Sequence, residues 1–136
     1  EISLGLVGSE MCIRDRYGRD PWVTPDEYKN NLQLFLNFAK SRGSKVIVIN
    51  NPPVEKVHLL KHAGLEKKIV LYNNLLTRLT LGKSVNLLDW YDRIKSLDVK
   101  CILGSDGIHP TREAANLLAR LLLQQISLFE DGVVNG

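Results

Sequence analysis

The sequence predicts an α/β fold built on a parallel sheet, and three observations support this prediction. Strand-like and helix-like patterns alternate along residues 24–128, as expected when helices connect the strands of one layered sheet. The first of the two strand-like stretches, residues 45–49, is a continuous β-branched run after Lys45, which is typical of a strand buried on both faces of a parallel sheet. The chain has 136 residues, a length suited to one domain.

The first predicted helix begins after Thr24. Thr24 suits the N-cap, Pro25 suits the first helical position, and Glu27 completes a capping box. Gly43 supplies the signal for the end of the helix. Between these signals one face is apolar at helical spacing. It consists of Tyr28, Leu32, Phe35, Leu36 and Ala39.

Two predicted strands flank a second helical region. Residues 45–49 form a β-branched run and residues 84–89 a second predicted strand, and both are expected to be buried in the sheet. Between them, residues 54–81 predict either one broken helix or two helices, with the break at Gly64. The buried face of the second part is expected to consist of Leu65, Ile69, Tyr72, Leu76 and Leu79.

Polar residues follow both strands, at the sheet edge where ligands bind in open α/β folds. Asn50 and Asn51 follow the first strand, and Asp89 ends the second. A role in ligand binding is one interpretation. We favour the other, in which the asparagines form the turn and Asp89 caps the next helical segment.

The last predicted helix spans residues 112–128, with Thr111 as its N-cap. Residues 129–136 are expected to form a frayed tail. The inward face of the helix is predicted from its apolar spacing. It consists of Ala115, Leu118, Leu121, Leu122, Gln125 and Ile126.

The motif with the clearest chemistry precedes this helix, at residues 105–110. Asp106 lies three residues before His109, and Pro110 follows at once. This spacing suits a carboxylate that orients an imidazole, so that the second ring nitrogen can accept a proton as a general base. The spacing alone also fits a local turn in which Asp106 caps the backbone and His109 is solvated.

The stretch 103–111, Leu-Gly-Ser-Asp-Gly-Ile-His-Pro-Thr, resembles the C-terminal block of the SGNH (GDSL-type) esterases and lipases. The layout of residues 17–128 is similar to the C-terminal half of that family, in particular to the branch of isoamyl-acetate-hydrolysing esterases. The resemblance implies a three-layer, flavodoxin-like fold with a parallel sheet that here lacks its N-terminal strands. It also implies that Asp106 and His109 are catalytic, as members of a Ser-His-Asp triad.

The resemblance further implies a serine in a Gly-Asp-Ser block, and oxyanion donors from a glycine and from the asparagine of a Gly-x-Asn-Asp block. This sequence contains neither block. Residues 6–16 instead resemble the translation of a transposon adapter used in sequencing libraries and agree with it at every position. We therefore expect residues 1–16 to be an artefact or a remnant, and residues 17–128 to be the C-terminal part of one domain.

The expected function of the parent protein is hydrolysis of a small-molecule or lipid carboxylic ester through an acyl-enzyme. No metal or organic cofactor is expected. Without the serine and oxyanion blocks, this chain is expected to show little or no activity. The alternative is a non-catalytic, flavodoxin-like α/β binding module, because a fold does not determine a function.

Other function classes receive little support. The net charge is only +3 and its Lys and Arg residues are scattered, so nucleic acid is an unexpected partner. No apolar run is long enough to span a membrane.

His58 and His62 have metal-ligand spacing but lack a third ligand, and we interpret them as solvated. Cys101 lies in an apolar run and is interpreted as a buried hydrophobic residue. The sequence leaves the oligomeric state and the compartment open, with the cytoplasm favoured.

Overall fold

A computed structural model of the chain describes residues 23–61, 63–82, 85–97 and 102–130. The predictions for residues 1–16, His62 and Cys101 lie outside these residues. The elements in chain order are α1 (Pro25–Ser41), β1 (Val46–Ile49), α2 (Lys56–Lys61), α3 (Leu65–Thr80), β2 (Val85–Leu88), α4 (Trp90–Lys95) and α5 (Arg112–Glu130).

The two strands are parallel neighbours. Val46 pairs with Val85 at one end, and Ile49 pairs with Leu88 at the other. Helices α2 and α3 connect them, as a parallel pair requires. Both strands therefore end at the same edge of the sheet, which confirms the predicted α/β arrangement with parallel strands.

Helices cover both faces of this sheet. Residues of α1 and α3 pack on one face in a cluster that contains Leu32, Leu36, Ala39, Val46 and Leu76. Alternate strand residues point to opposite faces. Accordingly Ile49 packs with the second cluster, formed by Trp90, Ile94 and Ala114 of α4 and α5. The described residues thus form three layers, with the sheet between two layers of helices.

The local signals for helix boundaries are confirmed. Thr24 accepts a hydrogen bond from the backbone of Glu27, and the Glu27 side chain accepts one from the backbone of Thr24, which completes the capping box. Gly43 follows α1 with φ +67°, and Gly64 separates α2 from α3 with φ +88°. This left-handed conformation favours glycine because other residues have a Cβ atom.

The predicted faces of the outer helices need correction. Ala115 is exposed, whereas Ala114 is fully buried against Trp90 and Ile94. Phe35, predicted to face inward, is 41% exposed, because it lies beside the buried line of Leu32 and Leu36 rather than on it. The last helix also continues to Glu130, since no Gly or Pro interrupts it before that point.

Candidate functional site

Residues 103–110, here named the Asp-His loop, form a closed turn between α4 and α5. Leu103 and Pro110 form an antiparallel bridge, and the backbone N–H of Gly104 donates to the carbonyl oxygen of His109 at 2.7 Å. Leu103 is only 2% exposed and anchors the start of the loop. These contacts close the base of the loop, and its polar tip lies at the surface.

The Asp106 carboxylate is shared between the loop backbone and the His109 ring. Its Oδ1 atom accepts hydrogen bonds from the backbone N–H groups of Ile108, at 3.0 Å, and His109, at 2.9 Å. Its Oδ2 atom lies 2.5 Å from Nδ1 of His109. One carboxylate oxygen of Asp106 therefore caps the turn, and the other contacts the His109 ring. The two interpretations of the motif are compatible.

The ionisation of Asp106 determines which atom carries the shared proton. The hydrogen bond from the His109 ring, followed by those from the backbone N–H groups of His109 and Ile108, holds the pKa of the Asp106 carboxyl well below its usual range. A charged carboxylate can only accept, so Nδ1 of His109 is the donor. In the neutral ring, Nε2 is then the basic nitrogen, on a side chain that is 70% exposed.

The low pKa of Asp106 predicts a pH dependence. Because the folded-state pKa lies below the ordinary value of about 3.9, the charged carboxylate stabilises the folded state at pH values above it, and this contribution is lost as the pH falls through the folded-state pKa. We expect the ¹³Cγ resonance of Asp106 to titrate with a midpoint well below 3.9. In His109→Ala the midpoint should rise, because the largest cause of the shift is removed.

Glu27 provides an internal control for this titration. Its pKa is lowered by hydrogen bonds with Thr24, and no residue of the Asp-His loop contributes to the shift. The Glu27 midpoint should therefore be the same in the wild type and in His109→Ala. An Asp106 midpoint at or above the ordinary value in the wild type would show that the carboxylate does not hold the ring.

The segment after β1 contacts the Asp-His loop directly. Nε2 of His58 lies 2.5 Å from the carbonyl oxygen of Asp106, and the backbone N–H of Glu55 donates to the carbonyl oxygen of Gly107 at 3.0 Å. The interpretation of His58 as a solvated side chain is wrong. The contact between His58 and Asp106 could not be predicted, because the two residues are 48 positions apart in the sequence and helical spacing carries no information over that distance.

The polar residues after the strands brace the sheet edge. Asn50 is 6% exposed; its Nδ2 donates to Asp89 Oδ1 at 2.8 Å, and its Oδ1 accepts from the backbone N–H of Tyr91 at 2.7 Å. The backbone N–H of Asn51 donates to Oδ1 of Asn73 at 2.9 Å, and the Asn73 side chain donates back to the Asn51 carbonyl oxygen at 2.9 Å. These contacts give both asparagines a structural role, but their partners lie on distant elements rather than in a local turn.

Asp89 has the predicted capping role, since its carboxylate accepts from the backbone N–H of Asp92 at 3.0 Å. Its contact with Asn50 also joins the ends of β1 and β2. The role of Asn73 could not be predicted from the sequence, because a polar residue in a helix gives no sign of a partner on a distant loop.

The serines of the described residues do not complete a triad. The hydroxyl groups of Ser41, Ser96 and Ser127 donate to backbone carbonyls three or four positions earlier in the chain. Ser105 is exposed beside Asp106. Within the described part of the chain, no serine hydroxyl is hydrogen-bonded to His109.

Three further properties concern the described residues only. A groove of about 800 Å³ is lined by α2, α3 and α4 together with residues 53–55, and none of its described lining residues belongs to the Asp-His loop. No three His, Cys, Asp or Glu side chains among them are grouped as metal ligands. None of their helices combines the length and the apolar character needed to cross a membrane.

Comparisons with known proteins bear on the fold. No protein-family model matches the chain, and no curated protein matches it. Among solved structures it is similar to the lipase/acylhydrolase from Enterococcus faecalis, with a TM-score of 0.66 and 17% sequence identity. The match covers 81% of this chain and 54% of that one. The likeness confirms the predicted α/β fold with parallel strands, of the type found in that lipase/acylhydrolase, and at this identity it establishes the fold alone.

Proposed function

We propose that the chain is the C-terminal part of a carboxylic ester hydrolase of the SGNH type, in which Asp106 and His109 act with a serine as a catalytic triad. The observation that carries the proposal is the 2.5 Å contact between Asp106 Oδ2 and His109 Nδ1, on a ring that is 70% exposed. The structural likeness to a lipase/acylhydrolase supports it.

In the proposed reaction, His109 Nε2 accepts the proton of the serine hydroxyl as the serine oxygen attacks the ester carbonyl. The tetrahedral intermediate collapses to an acyl-enzyme, and the same nitrogen gives the proton to the departing alcohol. Water then attacks the acyl-enzyme by the same sequence of proton transfers, which releases the carboxylic acid and the serine. Asp106 holds the ring and stabilises the imidazolium formed at each step.

The serine and the oxyanion donors are proposed to belong to the parent protein. They would come from a Gly-Asp-Ser block and a Gly-x-Asn-Asp block, neither of which occurs in this sequence. Residues 6–16 are proposed to be adapter-derived and residues 17–128 to be native. Within the family, the proposed branch is that of the isoamyl-acetate-hydrolysing esterases, with a small-molecule or lipid ester as substrate and no cofactor.

The proposal is tested by sequencing the native locus across the junction before Tyr17 and expressing the complete protein. We expect an upstream Gly-Asp-Ser block, turnover of p-nitrophenyl acetate, and covalent labelling of that serine by a fluorophosphonate, located by peptide mass spectrometry. The present chain, as the matched control, should show neither turnover nor labelling. A complete protein with no serine block and no turnover would instead favour a non-catalytic binding module.

A further inference from the structure

The Asp-His loop is joined to α2 and to the residue that precedes it through two consecutive peptide carbonyls. His58 contacts the carbonyl oxygen of Asp106, and the backbone N–H of Glu55 donates to the carbonyl oxygen of Gly107. Because a carbonyl oxygen can only accept, Nε2 of His58 carries a hydrogen and is the donor. The loop tip is therefore held by two donors that belong to the segment following β1.

These contacts differ in kind from the other hydrogen bonds of the loop. The bonds from Gly104 to His109 and from Thr111 to Ile102 join residues within 102–111, so they close the base of the loop, where His109 lies. The bonds from His58 and Glu55 join the loop to a segment that starts at the carboxyl end of β1. They hold the loop tip, with Asp106, in place relative to that edge of the sheet and relative to the base of the loop, where His109 lies.

Close packing at Gly107 makes this approach possible. Gly107 is buried and has φ +67°. A Cβ atom at this position would lie 2.9 Å from Oε2 and 3.0 Å from Cβ of Glu55, closer than van der Waals contact allows. A glycine at position 107 thus lets Glu55 approach the loop backbone.

We propose that His58 is a positioning residue for the Asp106–His109 pair: its Nε2–H holds the Asp106 backbone so that the carboxylate meets the His109 ring. The proposal rests on the proposed esterase function for its catalytic consequence. Its structural consequence concerns the ring itself, because a displaced Asp106 backbone moves Oδ2 away from Nδ1 and weakens the bond that selects the tautomer of His109.

Two substitutions separate donation by His58 from packing. Glutamine places an amide N–H near the position of Nε2 and retains a donor, whereas leucine fills similar space without one; both are good helix formers. Lys61→Leu, an exposed position of the same helix, is the matched control for added apolar surface. All three are compared with the wild type.

The first measurement is ¹⁵N and ¹H NMR of the histidine rings in the present chain. In the wild type we expect His58 to carry hydrogen on Nε2, and His109 to show a downfield Nδ1–H proton. That proton should be retained in His58→Gln and Lys61→Leu and be lost or shifted upfield in His58→Leu. A wild-type His58 with Nε2 unprotonated would overturn the proposal even if His58→Leu does not fold.

The second measurement is steady-state kinetics on the complete protein. A misplacement of about 1 Å in a catalytic group costs up to about 100-fold in rate, so His58→Leu should lower kcat by 10- to 100-fold with KM nearly unchanged, and His58→Gln should restore most of it. Equal kcat and equal ring spectra in the wild type and His58→Leu would overturn the proposal. NMR changes as expected in a protein without esterase activity would uphold the positioning role and refute the proposed function instead.

Discussion

Replacing His109 with alanine in the complete protein is expected to lower kcat for p-nitrophenyl acetate by about 10⁴- to 10⁶-fold, the range found when the histidine of a serine triad is removed. The serine would then have no base to take its proton, and the leaving alcohol would have no acid. The measurement is initial-rate kinetics, with burst analysis to detect any acyl-enzyme. KM should change little by comparison, because the ring acts on the transition state rather than on substrate binding.

Ser105→Ala is the matched control for this substitution. Ser105 lies in the same exposed loop, next to Asp106, and an immediate neighbour in a tight turn is poorly placed to meet His109. We expect its activity to stay within a few-fold of the wild type. If His109→Ala kept most of the esterase activity, the role of His109 would be wrong; if Ser105→Ala abolished it, Ser105 would have to be considered as the nucleophile.

Asp106→Asn is expected to lower kcat by about 10⁴-fold while leaving the fold intact. An asparagine Oδ1 can still accept the backbone N–H groups of Ile108 and His109, which the aspartate accepts at 3.0 and 2.9 Å. Its Nδ2, however, would face Nδ1 of the ring as a donor. The ring would then place its hydrogen on Nε2, and the nitrogen that should accept the serine proton would be blocked.

Ring ¹⁵N shifts and kinetics together test this account. In Asp106→Asn the hydrogen of His109 should move from Nδ1 to Nε2, and kcat should fall in parallel. Asp106→Ala is the informative comparison, because it also removes the acceptor for both backbone N–H groups and should lower the stability of the loop. An asparagine variant with activity within tenfold of the wild type would show that Asp106 serves only the turn.

Much of the local structure follows from nearby residues. The capping box at Thr24 and Glu27, the break at Gly64 and the cap formed by Asp89 each involve partners within a few positions. The Asp106–His109 contact has the same character, since the two residues are three positions apart in a turn closed by its own backbone. Such short-range features could be predicted because the chain has little conformational freedom between the partners.

The wrong predictions of inward-facing residues occur where packing against a residue distant in the sequence determines which side chain is buried. Whether Ala114 or Ala115 faces inward depends on how α5 rotates against Trp90 and Ile94, and a stripe of leucines broad enough to fit several rotations leaves this open. Phe35 lies at the edge of the α1 stripe, where coverage depends on the neighbouring layer. Periodicity predicts that a helix has a buried face but defines its limits only to within about one residue.

The sequence by itself determined the α/β class, the order of the elements and the pairing of an acid with an imidazole, because hydrophobic period, caps and turn residues act over a few positions. Only the tertiary structure decided that His58 contacts Asp106 and that Asn73 braces Asn51, across 48 and 22 positions respectively. Those contacts arise because parallel strands bring their carboxyl ends to one edge of the sheet. Side chains that follow the strands then meet there, although no local sequence pattern relates them.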